Sequence, residues 1–341
     1  MQGALEVRDF LAARTPVLDV RSPGEFRRGH LPGAINLPLF DDAERAVVGT
    51  LYKQEGRDAA MLEGLRIVGP KLAPMVEAAR NHAPDGRIRV HCWRGGERSG
   101  SVAWLLGKAG FREVLTLRGG YKAFRHQVLQ DLASPRRLRV LGGYTGSGKT
   151  ETLQHLKALG SAVIDLEALA SHKGSSFGAL GQAPQPTTEH FENLLWEALR
   201  AIDPEHIIWV EDESRSIGRV MLPQPFFEQM RQAPLLFADV PSTERVPLLV
   251  RLYGDHPRED LAEALHRIEK RMGPQHCKAA LEALERNDLH TVASLTLHYY
   301  DRAYDHGLSK RDARNIRTLP ATVHDLPDLA RRLIEHEQQH T

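Results

Sequence analysis

The stretch "LRVLGGYTGSGKT", residues 138–150, decides the fold of the second half of this 341-residue chain. It places the pattern G-x4-G-K-T between an apolar run, which predicts a strand, and a helical stretch. In that setting backbone N–H groups cradle a diphosphate, the lysine neutralises it and the threonine hydroxyl binds Mg²⁺. The predicted phosphate-binding residues are Gly143, Thr145, Gly146, Ser147, Gly148, Lys149 and Thr150.

Downstream of this loop, further apolar runs alternate with helical stretches. "AVIDL", "HIIWVEDE" and "LLFADV" predict strands, which indicates a parallel sheet in an α/β domain over residues 133–240. From about Pro241 the spacing is mostly helical, and we expect residues 241–341 to be a helical extension. The acids Glu211 and Asp212 end one predicted strand and are candidate Mg²⁺ ligands together with Thr150. The segment "ASHKGSSFG" predicts a substrate loop, with Asp165, His172, Lys173 and Ser175 as its candidate residues.

The first half of the chain also alternates predicted strands with helical stretches. "PVLDV", "AINLP", "RIRVHC" and "EVLTL" predict strands of a second parallel sheet, and "GSVAWLLGKAG" predicts a helix ending at a glycine. The segment "ASPRRLR" around Pro135 marks the junction, so a first domain is expected over residues 1–132.

Within that first domain, "VHCWRGGERSG", residues 90–100, places a cysteine between a strand and a helix. Two glycines allow the loop to wrap its N–H groups inward, and the helix N-terminus favours an anion. Such surroundings make a thiol nucleophilic at neutral pH. Cys92, Arg94 and Arg98 are therefore the candidate catalytic residues.

Composition narrows the class of protein further. The chain has 26% charged residues, a net charge of +1 and two cysteines far apart in sequence, which predicts a soluble cytoplasmic protein without disulfides. No secretory leader or membrane span is expected. Between residues 66 and 125, however, 12 Lys/Arg face 4 Asp/Glu, and this local excess favours an anionic or nucleic-acid partner.

The sequence motif H-C-x5-R-S also occurs in cysteine-dependent phosphatases, but the flanking sequences favour another family. "LDVRSPGEFRRGHLPGAINLP" and "GFREVLTLRGGYKAFR" resemble the rhodanese family of sulfurtransferases. The loop after Cys92 is longer than in common rhodaneses, which leaves room for a tetrahedral oxyanion such as a phosphate-like donor. Because some phosphatases share this fold, a phosphatase or another sulfurtransferase fused to an NTP-binding domain stays an alternative.

The two halves together resemble one family, the tRNA 2-selenouridine synthases. The resemblance is carried by "LPLFDDAERAVVGTLYKQEGRDAA", "HCWRGGERSGSVAWLL", "GGYTGSGKTETL", "DLEALASHKGSSFG" and "VEDESRSIGRVMLP". It implies that the wobble 2-thiouridine of tRNA is first alkylated with geranyl diphosphate and then converted to 2-selenouridine with selenophosphate. It implies that Cys92 handles selenium, for instance as a perselenide, and that Lys149 and Thr150 bind the diphosphate.

The resemblance leads to further expectations about partners. Geranyl diphosphate and selenophosphate are expected as co-substrates, Mg²⁺ is a possible cofactor, and ATP is not expected to be obligatory. Contact with a selenophosphate-producing enzyme is possible. A tRNA-binding regulatory NTP switch without catalysis stays open as a third alternative. The sequence leaves the oligomeric state and the choice of tRNAs undetermined.

Overall fold

The computed structural model describes residues 2–339, and the chain divides into two compact units. Unit 1 runs to Asp131 and includes Glu192–Leu194, and unit 2 comprises the remainder. Each unit contains a parallel sheet flanked by helices, so the predicted α/β class is confirmed. The domain limits at residues 132 and 240 stay predictions.

Unit 1 is built on a five-stranded sheet of order β1-β5-β4-β2-β3, with the described strand pairs all parallel. Its strands are β1 (Gln2–Leu5), β2 (Val17–Asp19), β3 (Ile35–Asn36), β4 (Arg87–His91) and β5 (Glu113–Leu117). Its helices are α1 (Val7–Ala12), α2 (Pro23–Arg28), α3 (Asp42–Gln54), α4 (Arg57–Val68), α5 (Leu72–His82), α6 (Glu97–Lys108) and α7 (Gly120–Ala133), with a 3-10 turn at Gly69–Lys71.

Strand β4 lies inside this sheet and is buried from Ile88 to His91, although its sequence alternates apolar residues with Arg89 and His91. Ile88 and Val90 are fully buried in the core that β4 shares with β2, α5 and α6. Because β2 and β4 are parallel neighbours, their carboxyl ends lie side by side. The segment after Asp19 therefore meets the loop after His91.

Unit 2 contains a second five-stranded parallel sheet, of order β12-β11-β6-β8-β7. Its strands are β6 (Leu138–Gly143), β7 (Ala162–Val163), β8 (Ile208–Glu211), β11 (Leu235–Asp239) and β12 (Ile316–Pro320), and the antiparallel pair β9 (Ser216–Ile217) and β10 (Val220–Met221) lies apart. Its helices are α8 (Lys149–Ala158), α9 (Leu166–Ala170), α10 (Thr188–Arg200), α11 (Gln224–Gln232), α12 (Ser242–Tyr253), α13 (Arg258–Met272), α14 (Pro274–Glu285), α15 (Leu289–Leu308) and α16 (Leu326–Gln339), with a 3-10 turn at Ala313–Asn315.

The C-terminal region differs in one respect from the helical extension expected from the sequence. Helices α12 to α16 are present, but β12 adds an edge strand to the sheet by pairing with β11. Only the first and fourth of its five residues are even partly buried, so its sequence lacks the apolar run that marks the other strands. Across residues 2–339, no helix combines the length and hydrophobicity that crossing a membrane requires.

Candidate functional site

The first candidate site is the loop between β4 and α6, residues 92–96. Cys92 is 3% exposed, and its Sγ lies 3.2 Å from the Ser99 hydroxyl in the first turn of α6. The N–H groups of Tyr121 and Lys122 donate to the carbonyls of Cys92 and Trp93 at 2.8 and 3.0 Å. The start of α7 therefore forms one wall of the loop.

Glycine is required where that wall meets the loop. Gly120 has φ +61°, and a Cβ there would lie 2.4 Å from both the Cys92 carbonyl oxygen and the Gly95 nitrogen. Any larger residue would push the two segments apart. The glycine pair in "LRGGYKAF" is thus part of the cysteine loop's structure, although it lies more than 20 residues downstream.

The two predicted arginines lie in different surroundings. Arg98 is largely buried and donates to Glu25 of α2, with the Nη1–Oε2 distance at 2.6 Å and the Nη2–Oε1 distance at 3.2 Å. Burial alone would raise the pKa of Glu25, but Arg98, the Ser22 N–H and Arg45 together offset it and the pKa is lowered. Arg94 is exposed on the loop. An anion at the loop would therefore meet Arg94 directly and Arg98 only as half of an ion pair.

Behind the cysteine lies a buried group of charged and aromatic residues. Arg21 binds the Asp19 carboxylate through Nε at 2.9 Å and Nη2 at 2.6 Å, and its guanidinium lies 3.8 Å from the Tyr121 ring centroid. His91 Nε2 is 3.6 Å from Asp19 Oδ2. Burial lowers the pKa of His91 to about 4, so the imidazole is neutral at physiological pH.

The second candidate site is the loop between β6 and α8. Gly148 has φ +74° directly before α8, and a Cβ there would meet Leu326 at 2.8 Å. Lys149 Nζ donates to the Gly143 carbonyl at 2.8 Å, and Ser147 is buried. The loop therefore has the turn and the lysine placement of a phosphate cradle.

A large cavity opens above this loop, with about 1800 Å³ of empty space including part open to solvent. It brings together most of the residues predicted for the second half. Its lining includes Gly143, Thr145, Gly146, Ser147, Gly148, Lys149, Thr150, Asp165, Lys173, Ser175 and Asp212. Glu211 and His172 are not among its lining residues and are buried. Within "ASHKGSSFG", Lys173 and Ser175 thus face the cavity while His172 packs behind them.

A group of carboxylates lies beside Thr150. Its hydroxyl donates to Glu167 Oε2 at 3.1 Å, and the Glu167 N–H donates to Glu211 Oε1 at 2.7 Å. Burial raises the pKa of Glu211 to about 8, helped by the nearby Asp165 and Glu167. The pKa values of Glu167 and Glu213 are raised as well, again first by burial. Glu167 lies in the segment "DLEALASHKGSSFG" but is not among the candidate site residues predicted from the sequence, and its place at this site comes from α9 lying next to the loop.

Asp212 has a different set of partners from its neighbour Glu211. Its carboxylate pairs with Arg311, and its Oδ2 accepts from the Tyr304 hydroxyl at 2.8 Å. Both oxygens are therefore held by protein groups. Its predicted role as a Mg²⁺ ligand stays a prediction, but Glu167 has the more direct contact with Thr150.

Helix α15 holds the phosphate loop along one of its faces. The Gly143 N–H donates to Tyr304 Oη at 3.1 Å, and the Tyr144 hydroxyl donates to Asp305 Oδ1 at 2.7 Å. Asp301 binds Arg245, whose Nη1 donates to the Thr145 carbonyl at 3.2 Å. Gly143 and Tyr144 are thus held directly by α15, and Thr145 is held through Arg245, by residues that lie within about one turn of the helix.

An apolar pocket adjoins the phosphate-loop cavity and shares with it Thr145, Ser175, Leu249, Tyr253 and Tyr300. It is narrow: it contains about 490 Å³ of empty space when the part open to solvent is included, but the centre of a water-sized sphere can reach only about 50 Å³ of it. Its remaining lining residues are Phe177, Val250, Gly254, Leu261, Leu289, Val292, Ala293 and Thr296. A group bound here next to a diphosphate would be a hydrocarbon, because the walls offer few polar partners.

The fold and these two loops define a class: a rhodanese-like domain followed by a P-loop domain. The family model for the rhodanese-like domain matches residues 4–127, and the model for the tRNA 2-selenouridine synthase AAA domain matches residues 136–324.

Curated relatives match nearly the whole chain. The tRNA 2-selenouridine synthase of Sulfurovum sp. (strain NBC37-1) is 35% identical, over 91% of this chain and 93% of its own length. That of Shewanella denitrificans is 35% identical over 89% and 91%, and that of Salmonella newport is 37% identical over 92% and 94%. The chain belongs to the tRNA 2-selenouridine synthase family.

Proposed function

We propose that this protein is an enzyme that replaces the sulfur of wobble 2-thiouridine in tRNA by selenium from selenophosphate, through an S-geranyl intermediate made with geranyl diphosphate. Membership of the family supports the tRNA substrate and the selenouridine product. The observation that carries the geranyl step is the apolar pocket sharing five lining residues with the phosphate-loop cavity. A nucleotide would place a polar sugar and base where these residues offer apolar walls.

In the alkylation step, the thiouridine sulfur attacks C1 of geranyl diphosphate. The S–C1 bond forms, the C1–O bond breaks, and the diphosphate leaves with the electron pair while the base loses its N3 proton. The loop N–H groups and Lys149 stabilise the charge that develops on the diphosphate. Lys149 now bonds to the Gly143 carbonyl, 2.8 Å away, and would exchange this partner for the diphosphate.

Mg²⁺ fits the group of acids beside the loop. The Thr150 hydroxyl and Glu167 lie 3.1 Å apart, and Glu211 Oε2 is buried without a hydrogen-bond partner among residues 2–339. We propose that Thr150 and Glu167 hold the ion and that Glu211 supports them from below. A bound Mg²⁺ would add positive charge beside the departing diphosphate.

In the selenium step, we propose that the Cys92 thiolate attacks C2 of the S-geranyl base. The Cys92 S–C2 bond forms, the C2–S(geranyl) bond breaks, and geranylthiolate leaves and takes up a proton. The selenium of selenophosphate then displaces Cys92 from C2, and water cleaves the P–Se bond to give phosphate and 2-selenouridine. Every step is redox-neutral. If Cys92 instead took the selenium of selenophosphate to form a perselenide, the selenium would be oxidised. The two electrons of the P–Se bond would then have to remain on phosphorus, which would be reduced.

The test is mass spectrometry of wobble nucleosides after incubating the protein with a 2-thiouridine tRNA. With geranyl diphosphate alone we expect S-geranyl-2-thiouridine, and with selenophosphate added we expect 2-selenouridine, without ATP. Hydrolysis of one ATP per product would overturn the diphosphate assignment. Release of phosphate from an aryl phosphate, with no change in the nucleoside, would support the phosphatase alternative.

A further inference from the structure

Unit 1 contains an open groove that the steps above leave unused. It lies between α3, α4 and the first turns of α6 and contains about 1630 Å³ of empty space, part of it open to solvent. Its floor is formed by Leu39, Phe40, Ala60 and Val68, each less than 10% exposed. On its walls Tyr52, Met61 and Leu65 are 60%, 37% and 63% exposed. We call this the α3–α4 groove.

The groove begins beside the Cys92 loop. Glu97, Arg98 and Ser101 line its end, and all three belong to the first turns of α6. Ser99, on the same turn, approaches Cys92 Sγ at 3.2 Å. A ligand with its reacting atom at the cysteine loop could therefore extend a substituent into the groove.

Cations surround the apolar surface. Arg45, Lys53 and Arg57 line the groove, and Glu97 is the acid among its lining residues. Arg57 pairs with Glu97 at 2.8 Å, but both side chains are about two-thirds exposed, so this pair is weak and easily exchanged. The groove thus offers an apolar floor and a positive rim, which suits a hydrocarbon attached to a phosphate-bearing strand.

We propose that the α3–α4 groove binds the alkyl chain of the S-alkylated wobble uridine during the selenium step, while its rim cations contact the neighbouring RNA phosphates. This proposal rests on the proposed function, because it assumes an alkylated base at the Cys92 loop. The chain lies along the groove before C2–S cleavage and leaves through it as the thiol. Burying a ten-carbon chain gives the site a means to distinguish alkylated from unmodified tRNA.

The test compares two anticodon stem-loops, one carrying S-geranyl-2-thiouridine and the other S-methyl-2-thiouridine. With selenophosphate, the unaltered protein should convert the geranyl RNA with a kcat/KM at least about tenfold higher, because only the long chain fills the groove. Tyr52→Ser and Leu65→Ser remove apolar surface without adding charge beside the rim cations, so they should reduce this ratio about tenfold and leave conversion of the methyl RNA within about twofold.

Matched controls lie on the same two helices. Val47 on α3 and Leu62 on α4 are 48% and 53% exposed and do not line the groove. Val47→Ser and Leu62→Ser should keep the preference for the geranyl RNA. An unchanged ratio in the groove variants, or an equal loss in the controls, would overturn the proposal.

A binding measurement separates failure of the groove from failure of the proposed function. In the Cys92→Ala protein, the geranyl RNA should bind at least about tenfold more tightly than the methyl RNA, and Leu65→Ser should remove most of the difference. If no selenouridine forms from either RNA, the proposed function fails and this affinity ratio alone decides. Equal affinities for the geranyl and methyl RNAs would show that the α3–α4 groove does not bind the alkyl chain.

Discussion

The Cys92 loop and the phosphate loop are both strand–loop–helix turns, yet they differ in the charges that surround them. At the Cys92 loop, Arg98 is already paired with Glu25, and the Cys92 side chain is buried. At the phosphate loop, the lysine is held by its own backbone, and a group of carboxylates with raised pKa values lies beside Thr150. Under the proposed function, the same local geometry would serve two different chemistries: transfer at a sulfur in unit 1 and release of a diphosphate in unit 2.

The largest expected effect tests whether the cysteine serves only one of these chemistries. Cys92→Ser should lower selenouridine formation by about a thousandfold or more, because the hydroxyl is a poor nucleophile at neutral pH. Geranylation should stay within about twofold, since Cys92 belongs to the other loop. S-geranyl-2-thiouridine and 2-selenouridine are quantified separately by mass spectrometry.

Cys277→Ser provides the control for that experiment. Cys277 is 1% exposed in the cluster between α13, α14 and α15, away from both loops in the sequence and packed among apolar residues. This variant should keep both activities. Normal selenouridine yield in Cys92→Ser would show that the thiolate mechanism is wrong.

The next largest expected effect tests whether the phosphate loop serves only the geranylation step. Lys149→Ala should reduce geranylation by about a hundredfold, because the leaving diphosphate loses a positive partner. It should leave the conversion of pre-geranylated tRNA by selenophosphate intact. Lys157→Ala, an exposed lysine on the same helix, should change neither step. If Lys149→Ala fails equally with pre-geranylated tRNA, the two loops are not separate in function.

A smaller effect is expected when a contact between helix α15 and the phosphate loop is removed. Tyr304 Oη accepts from the Gly143 N–H at 3.1 Å and donates to Asp212 at 2.8 Å. Tyr304→Phe leaves both partners short of a hydrogen bond, so kcat/KM for geranyl diphosphate should fall about tenfold. The selenium step should be unchanged.

Two further measurements separate positioning from general destabilisation in this variant. The affinity for inorganic diphosphate should fall together with kcat/KM, whereas the thermal midpoint should change little beyond that of Tyr299→Phe. If Tyr304→Phe lowers both activities equally, the hydroxyl contributes only to stability.

The sequence predicts the strands of both sheets except β1 and β12, which both lie at sheet edges; the other two edge strands, β3 and β7, are predicted. β2, β6, β8 and β11 are largely apolar because both faces of a parallel sheet are covered, whereas β4 alternates apolar and polar residues. The mixed and mostly exposed sequence of β12 gives no apolar run.

In the candidate sites, residues that are close together in sequence could be predicted, whereas residues brought in from distant segments could not. The residues of both loops are adjacent in sequence, so their motifs are readable without a structure. Tyr304 reaches Gly143 across 161 residues, and Glu167 reaches Thr150 from a separate helix, α9. Contacts that depend on which helix packs beside a loop are absent from any local pattern.

The smallest expected effect concerns the buried histidine next to Cys92. The pKa of His91 is about 4 in the folded protein, against about 6.5 for an exposed histidine, so between these values the unfolded state binds more protons. The free energy of unfolding therefore falls as the pH drops from 6.5 toward 4. From pH 6.5 to 5.5 the opening equilibrium of β4 should rise about fivefold from this group alone. Hydrogen–deuterium exchange of β4 peptides, corrected for the intrinsic rate, measures it, and His91→Gln should remove this part of the slope. A slope equal in both proteins would mean that His91 keeps an ordinary pKa. His91 would then be partly protonated near neutral pH and would add positive charge behind Cys92.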